Sequence, residues 1–215
     1  MKNLPNQFYY SEKEDQLNVI SHGTGFVLSF IGLVFLINKG LQDFDITRFS
    51  SFIIYGMSLS TMYIASTLYH NSKTPKSRYN FRLFDMISIY LLIAGSYTPF
   101  TLTVLIDDGG LILFALVWLI AFFGIIWKIF TVGKYNFFST MLYMFMGGLW
   151  IFFIDSFINE IPSSALLWIF ASCSAYLIGV FFYLADSNIK YNHFIWHIFV
   201  LLGSAFHFIS IYFYI

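Results

Sequence analysis

The chain alternates between long apolar segments and short polar connections. Each apolar segment is about 20 residues long, the length that an α-helix needs to cross the ~30 Å hydrocarbon core of a membrane. These segments are apolar all round, whereas the strands of a membrane barrel alternate lipid-facing and polar residues, so we expect helices. The predicted spans are residues 17–38, 50–70, 83–105, 110–130, 136–155, 163–185 and 192–215.

This pattern predicts an all-α fold, a seven-transmembrane helical bundle that forms a single domain over residues 1–215. The connections are too short to hold a separate soluble domain, and the sequence shows no internal repeat or low-complexity segment. The polar first sixteen residues are followed by an apolar run without a small-residue cleavage signature. We therefore expect a retained first span and not a signal peptide.

The composition agrees with a membrane environment and narrows the candidate chemistry. Hydrophobic residues make up 59% of the chain and charged residues only 10%, whereas soluble domains carry roughly 25% charged side chains. The 11 basic and 11 acidic residues balance, so no overall positive field attracts nucleic acid. Cys173 is the only cysteine, so a metal ion would have to be held by histidine and carboxylate ligands.

Basic side chains predict the orientation of the bundle. Only Lys39 and Arg48 fall on one side, while the N-terminus and every second connection hold the other lysines and arginines. Because basic connections remain in the cytoplasm, we predict a cytoplasmic N-terminus and, after seven spans, a C-terminus outside. The residues on the predicted cytoplasmic side are Lys2, Lys13, Lys73, Lys76, Arg78, Arg82, Lys128, Lys134 and Lys190.

Four ionisable residues near the predicted cytoplasmic ends of spans are candidates for function: His70, Asp85, His193 and His197. Ionisable groups are costly in a membrane, so each is a functional hypothesis. His193 and His197 lie one helical turn apart on the same face, which lets both rings meet one ion. His70 ends the second span, Asp85 begins the third and the seventh begins on the same side, so all four are expected at one depth.

Three imidazoles and a carboxylate favour a catalytic zinc site over a structural one. Catalytic zinc has three protein ligands and a water molecule, whose pKa the metal lowers toward about 7. Asp85 would then hold that water as a base. Ser66 lies one turn before His70 and either orients this ligand, touches a substrate carbonyl, or only bonds back to its own helix. Other divalent ions also accept these ligands.

Two further histidines receive different interpretations. His22 is predicted near the inner end of the bundle, where we favour a hydrogen-bonded packing role over contact with a substrate, and we assign it no metal. His207 lies ten residues beyond His197, or roughly 15 Å deeper at 1.5 Å per residue, which is too far for the same ion. It is a candidate for the lining of an internal polar cavity.

Several motifs in this order resemble the hemolysin III family. That family belongs with the progestin and adipoQ receptors, which include the adiponectin receptors, and more distantly with the alkaline ceramidases. The resemblance covers nearly the whole chain. The motifs are Asn18-Val-Ile-Ser21-His22-Gly23 with Glu14 or Asp15 as the acidic residue, Ser66-x-x-x-His70, Asp85 followed by the run from Leu91 to Phe100, and His193-x-x-x-His197 with His207 beyond.

The resemblance implies a seven-helix protein, in a bacterial plasma membrane, with zinc near the cytoplasmic side. It implies that His70, His193 and His197 are the zinc ligands, that Asp85 contacts the water on the zinc, and that Ser66 lies in or next to the ligand sphere. One departure is Met86, where we expect histidine in many bacterial members. This change leaves the implied ligand set intact.

Three functions remain open at the level of the sequence. The leading hypothesis is a zinc-dependent membrane hydrolase that cleaves an amide or ester bond of a membrane lipid, as the ceramidase-like relatives suggest. The second is a hemolysin that permeabilises membranes, although nothing else in the sequence suggests a pore. The third is a sensor or regulator of membrane lipid state in which the zinc is structural.

Overall fold

The computed structural model describes residues 10–42, 44–185 and 189–215, and the regular structure in these ranges is helical. Lys2, which contributes to the predicted orientation, lies outside them. Within the described residues, seven helices are long and apolar enough to cross a membrane. The protein is therefore a multi-pass integral membrane protein, and the predicted seven-helix bundle is confirmed.

The spans begin and end close to the predicted residues. The fifth span consists of two helices, α5 and α6. The sixth and seventh spans are therefore α7 and α8. The helices are α1 (Glu12–Leu41), α2 (Ile46–Asn71), α3 (Pro75–Leu102), α4 (Leu111–Phe130), α5 (Asn136–Gly147), α6 (Ile154–Glu160), α7 (Ser163–Leu184) and α8 (Asn192–Tyr214).

Among the helices that begin earlier than the apolar pattern predicts, α1 and α3 have polar first turns that are capped. Ser11 accepts a hydrogen bond from the Glu14 amide at the start of α1, where acidic side chains also suit the helix dipole. Thr74 caps α3 in the same way, and Pro75 occupies its first turn. The basic stretch between the second and third spans is therefore partly helical, which extends α3 toward the end of α2 that carries His70.

The fifth span is interrupted, whereas the sequence predicts one continuous helix over residues 136–155. A 3₁₀ segment, Leu149–Phe153, separates α5 from α6 after the pair Gly147 and Gly148. Tyr97 of α3 compensates for the break, since its hydroxyl lies 3.0 and 2.8 Å from the carbonyl oxygens of Met146 and Gly147. A broken backbone inside a membrane is stable only where neighbouring groups replace its lost hydrogen bonds.

The helices form an inner and an outer layer. The two central helices, α2 and α3, pack against each other so closely that a side chain at Gly95 would collide with Ser58. α1 packs on α2 and α8 packs on α1, while α4, the fifth span and α7 present most of their surface outward. Large apolar side chains such as Phe122 and Phe123 cover that outer surface, as expected for contact with lipid.

Candidate metal centre

Three histidines from two helices meet at one end of the bundle. His70 lies in the last turn of α2, and His193 and His197 lie in the first two turns of α8. Each offers a ring nitrogen, and the three nitrogens lie within 4.8 Å of one another. All three side chains are buried. Among the described residues this is the one such group of histidine, cysteine and carboxylate ligands, and it could hold a metal ion.

The Nδ1 nitrogen of each ring lies within hydrogen-bond distance of another side chain. His70 Nδ1 lies 2.9 Å from Asp15 Oδ1, His193 Nδ1 lies 3.0 Å from the Tyr10 hydroxyl, and His197 Nδ1 lies 3.2 Å from Ser21 Oγ. This leaves Nε2 of each ring for a metal, the arrangement that metal-binding histidines adopt. His70 Nε2 is buried and has no hydrogen-bond partner within the protein. The residues present therefore fit a divalent ion.

A buried ion pair supports His70. Asp15 Oδ2 lies 2.9 Å from Arg78 Nη1, and Arg78 Nη2 donates to Asp15 Oδ1 over 2.9 Å. The Arg78 guanidinium also stacks over the ring of Tyr69, 4.9 Å from its centroid. Arg78 is only 1% exposed. It therefore links the starts of α1 and α3 inside the protein, a role that the positive-inside interpretation of this residue does not describe.

The first helix supplies most of the side chains that contact the triad, a role that the sequence motif in this helix did not reveal. Asp15, Asn18, Ser21 and His22 occupy neighbouring positions on one face of α1, and all four are buried. Asn18 Nδ2 adds a contact of 3.4 Å with His70 Nδ1. The available signal was the spacing: polar residues recurring every three to four positions at the start of an apolar helix indicate a polar face turned inward.

Asp85 and Ser66 lie together but outside the group of three histidines. Asp85 lies in the third turn of α3, whereas the sequence predicts it at the start of the third span. Its carboxyl group interacts with the hydroxyl of Ser66 and with the charge of Arg82. Ser66 lies one turn before His70 on α2. The catalytic roles assigned to Asp85 and Ser66 stay predictions.

His22 packs against one of the three histidines of the triad. Its ring is stacked on His197, with centroids 3.5 Å apart and planes inclined by 8°. The rings of His22 and Tyr63 meet edge to face. Both ring nitrogens are buried without a hydrogen-bond partner by geometry within the described residues, and the predicted hydrogen-bonded role stays a prediction. His22 is not part of the group that could hold a metal.

His207 is likewise separate from the triad. It lies deeper along α8, where Nε2 is 3.1 Å from the carbonyl oxygen of Ser96. Its side chain lines an internal cavity beside the broken fifth span.

Comparison with known proteins agrees with this architecture. A family model described as Haemolysin-III related matches residues 10–208, a range that contains the whole triad and its supporting residues. The chain belongs to the haemolysin-III-related family.

Relatives of this haemolysin-III-related protein occur in bacteria and in animals. It is 38% identical to Hemolysin-3 of Bacillus cereus, over 94% of this chain and 92% of that protein. It is 37% identical to the Hemolysin-3 homolog of Bacillus subtilis (strain 168), over 95% of this chain and 96% of that protein. A weaker similarity, 29% identity over 75% of this chain and 69% of the other, links it to the human monocyte to macrophage differentiation factor.

Proposed function

We propose that this haemolysin-III-related protein is a zinc-dependent membrane hydrolase that cleaves an amide or ester bond of a membrane lipid. The observation that carries the proposal is the buried triad of His70, His193 and His197, in which a partner orients each ring. Structural zinc sites usually have four protein ligands and often cysteine, whereas three histidines leave a position for a reacting molecule.

The metal and the protein have separate tasks in this proposal. A bound zinc supplies Lewis acidity, since it lowers the pKa of a water molecule toward about 7 and polarises a carbonyl group. The chain supplies orientation: Asp15, Tyr10 and Ser21 fix the three rings, so that their free nitrogens converge. The surrounding helices keep bulk water away from the buried rings, which strengthens electrostatic interactions at the site.

Asp85 is the candidate for proton transfer. In the proposed reaction, the oxygen of a water molecule bonds to the acyl carbon and the C–N or C–O bond breaks. The leaving amine or alcohol takes up a proton. Asp85 accepts a proton from the water and delivers it to the leaving group, while Ser66 holds the Asp85 carboxyl group in place. Lipid reaches the site from the membrane, between helices that end at this depth.

Lipid hydrolysis by the purified protein in nanodiscs tests this proposal. Wild type is incubated with lipid amides and lipid esters, beside Asp85→Ala and the exposed control Asp155→Asn. Loss of a general acid or base lowers rates by about 10²–10⁴-fold, so we expect this loss in Asp85→Ala alone. The zinc content of each sample is measured in parallel. Undiminished hydrolysis by a zinc-loaded Asp85→Ala protein would reject the mechanism.

The name of the Bacillus cereus relative, Hemolysin-3, favours a second candidate, a protein that permeabilises membranes. Leakage of a dye from liposomes distinguishes the two. A hydrolase without pore activity gives leakage that follows lipid cleavage and disappears when all three histidines are replaced. Leakage that persists in the triple variant would support permeabilisation independent of the metal site.

A further inference from the structure

A column of buried polar side chains runs from the triad into the interior of the bundle. The described structure leaves several of their atoms without a hydrogen-bond partner, although each lies away from solvent. Such atoms are costly inside a protein and need an explanation, of which bound water is the usual one. They are both ring nitrogens of His22, the hydroxyls of Tyr55 and Tyr63, and Oγ of Ser172.

These groups adjoin one another. His22, stacked on the ligand His197, meets the ring of Tyr63 edge-on, with centroids 5.1 Å apart. The side chain of Tyr63 interacts with that of Ser204. Ser204 Oγ is 3.0 Å from the hydroxyl of Tyr176. The column therefore passes from α1 through α2 to α8 and α7.

The deep end of the column opens into a cavity of about 100 Å³. Tyr176 and His207 line it together with Ser172 and Ser96, and apolar side chains of α3, α7 and the fifth span complete its wall. Tyr55 approaches His207 from α2, with ring centroids 5.7 Å apart. A water molecule occupies about 30 Å³ in the liquid, so the cavity has room for about three.

The lining of the cavity is mainly apolar, and Ser172, Tyr176 and His207 contribute its polar groups. A buried water needs two to four polar partners. Ser172 is 1% exposed, and its hydroxyl has no partner in the described structure. The break between α5 and α6 borders the same space through Gly147 and Trp150, and irregular backbone at membrane depth commonly lines water-filled cavities.

We propose that this column is an internal water path, in which a water cluster held by Ser172, Tyr176 and His207 connects through Tyr63 to His22 beside the metal triad. The path makes water available to the triad from within the bundle when a lipid covers its cytoplasmic end. This last role rests on the proposed hydrolase function. The hydration itself does not depend on catalysis, on lipid turnover or on the identity of the metal.

Radiolytic footprinting of the full chain in lipid nanodiscs tests the hydration. A short X-ray pulse converts water inside the protein into hydroxyl radicals, which oxidise the side chains next to it. After correction for the intrinsic reactivity of each side-chain type toward hydroxyl radical, we expect oxidation of Tyr63, Cys173 and Tyr176 to exceed that of the buried references Phe52 and Leu113 several-fold. Oxidation of all three at the level of these references would overturn the proposal and indicate a dry cavity.

A matched pair of serine variants locates the water. Ser172→Val removes the unpartnered hydroxyl from the cavity, so oxidation of Cys173 and Tyr176 falls toward the reference level. Ser210→Val is the control, because Ser210 is equally buried but donates to Ala165 O. If Ser172→Val does not fold, Ser172→Ala replaces it. Unchanged oxidation around the cavity after loss of the Ser172 hydroxyl would contradict the proposed water site.

Discussion

The two central helices, α2 and α3, are the least hydrophobic of the seven spans and also the most deeply buried. α4 is the most hydrophobic span, yet fewer than a third of the residues in its most apolar stretch are buried. In soluble proteins the most hydrophobic segments are usually the most buried, and in this protein that relation is reversed. Lipid is as apolar as leucine, so apolar side chains gain little by turning inward, whereas polar side chains must avoid lipid.

This contrast also separates the functional residues from the scaffold. His70, Ser66 and Asp85 lie on α2 and α3, the other two histidines lie on α8, and α1 holds the side chains that orient them. Within the described residues, the outer spans contribute nothing to the group of three histidines. Because α1 and α8 are about as hydrophobic as the fifth and sixth spans, individual ionisable residues are a better guide to the site than the hydrophobicity of a whole span.

The largest expected effect is the loss of the bound metal when one of the three histidines is replaced. His70→Ala, His193→Ala and His197→Ala each leave two ligands, so we expect the bound metal of the purified protein to fall from about one per chain to near zero. Elemental analysis measures this. His207→Ala is the control, because it removes a buried histidine outside the triad and retains the metal. A metal that survives all three ligand variants would have to be bound elsewhere.

Breaking the Asp15–Arg78 pair is expected to have the next largest effect. Asp15→Ala leaves the Arg78 charge buried without its carboxylate, which costs about 3–5 kcal/mol of stability. The loss of the His70 contact also lowers metal affinity by about 10–100-fold. Chemical unfolding and metal titration measure the two effects. Glu12→Ala, an exposed acidic residue in the same first turn, is expected to change neither.

A double variant separates these two effects. Replacing a buried ion pair by apolar residues of similar size is often neutral, so Asp15→Leu with Arg78→Met should recover most of the stability. Metal affinity should stay low, because His70 Nδ1 still lacks its carboxylate partner. Recovery of both properties would show that Asp15 acts only as a counter-ion for Arg78.

A smaller effect is expected where α3 contacts the break in the fifth span. Tyr97→Phe removes the hydroxyl that meets the carbonyl oxygens of Met146 and Gly147, at a cost of about 1–3 kcal/mol for the unsatisfied backbone groups. Metal content should not change. Tyr135→Phe, at an exposed tyrosine, is the matched control for thermal unfolding. Equal unfolding temperatures for the two variants would mean that the break is stabilised in another way.

The smallest expected effect concerns a single hydrogen bond to a ligand. Ser21→Ala removes the hydroxyl beside His197 Nδ1, so metal affinity should fall by about tenfold, the low end for such supporting contacts. Ser29→Ala removes a buried hydroxyl of the same helix that bonds only to its own backbone, and should leave affinity unchanged. Competition with a metal chelator measures the difference. Identical affinities would remove Ser21 from the set of residues that orient the triad.

Much of this protein follows from its sequence. Apolar segments of bilayer length specify seven spans, because an unpaired backbone cannot cross lipid except as a helix. The spacing of His193 and His197 places both rings on one helical face, and the position of His70 at the end of its span places it at the same end of the bundle as the start of the seventh span. These are consequences of helix geometry and membrane thickness, which act along the chain and need no knowledge of packing.

Only the tertiary structure decided which neighbours the triad has. The contact of Asp15 with both His70 and Arg78 joins three helices, and no local pattern states which helix faces lie together. The break in the fifth span is stable because Tyr97, distant in sequence, replaces hydrogen bonds that the helix loses. Pairing of buried polar groups is a property of the packed bundle, since each group needs a partner in space that sequence spacing does not specify.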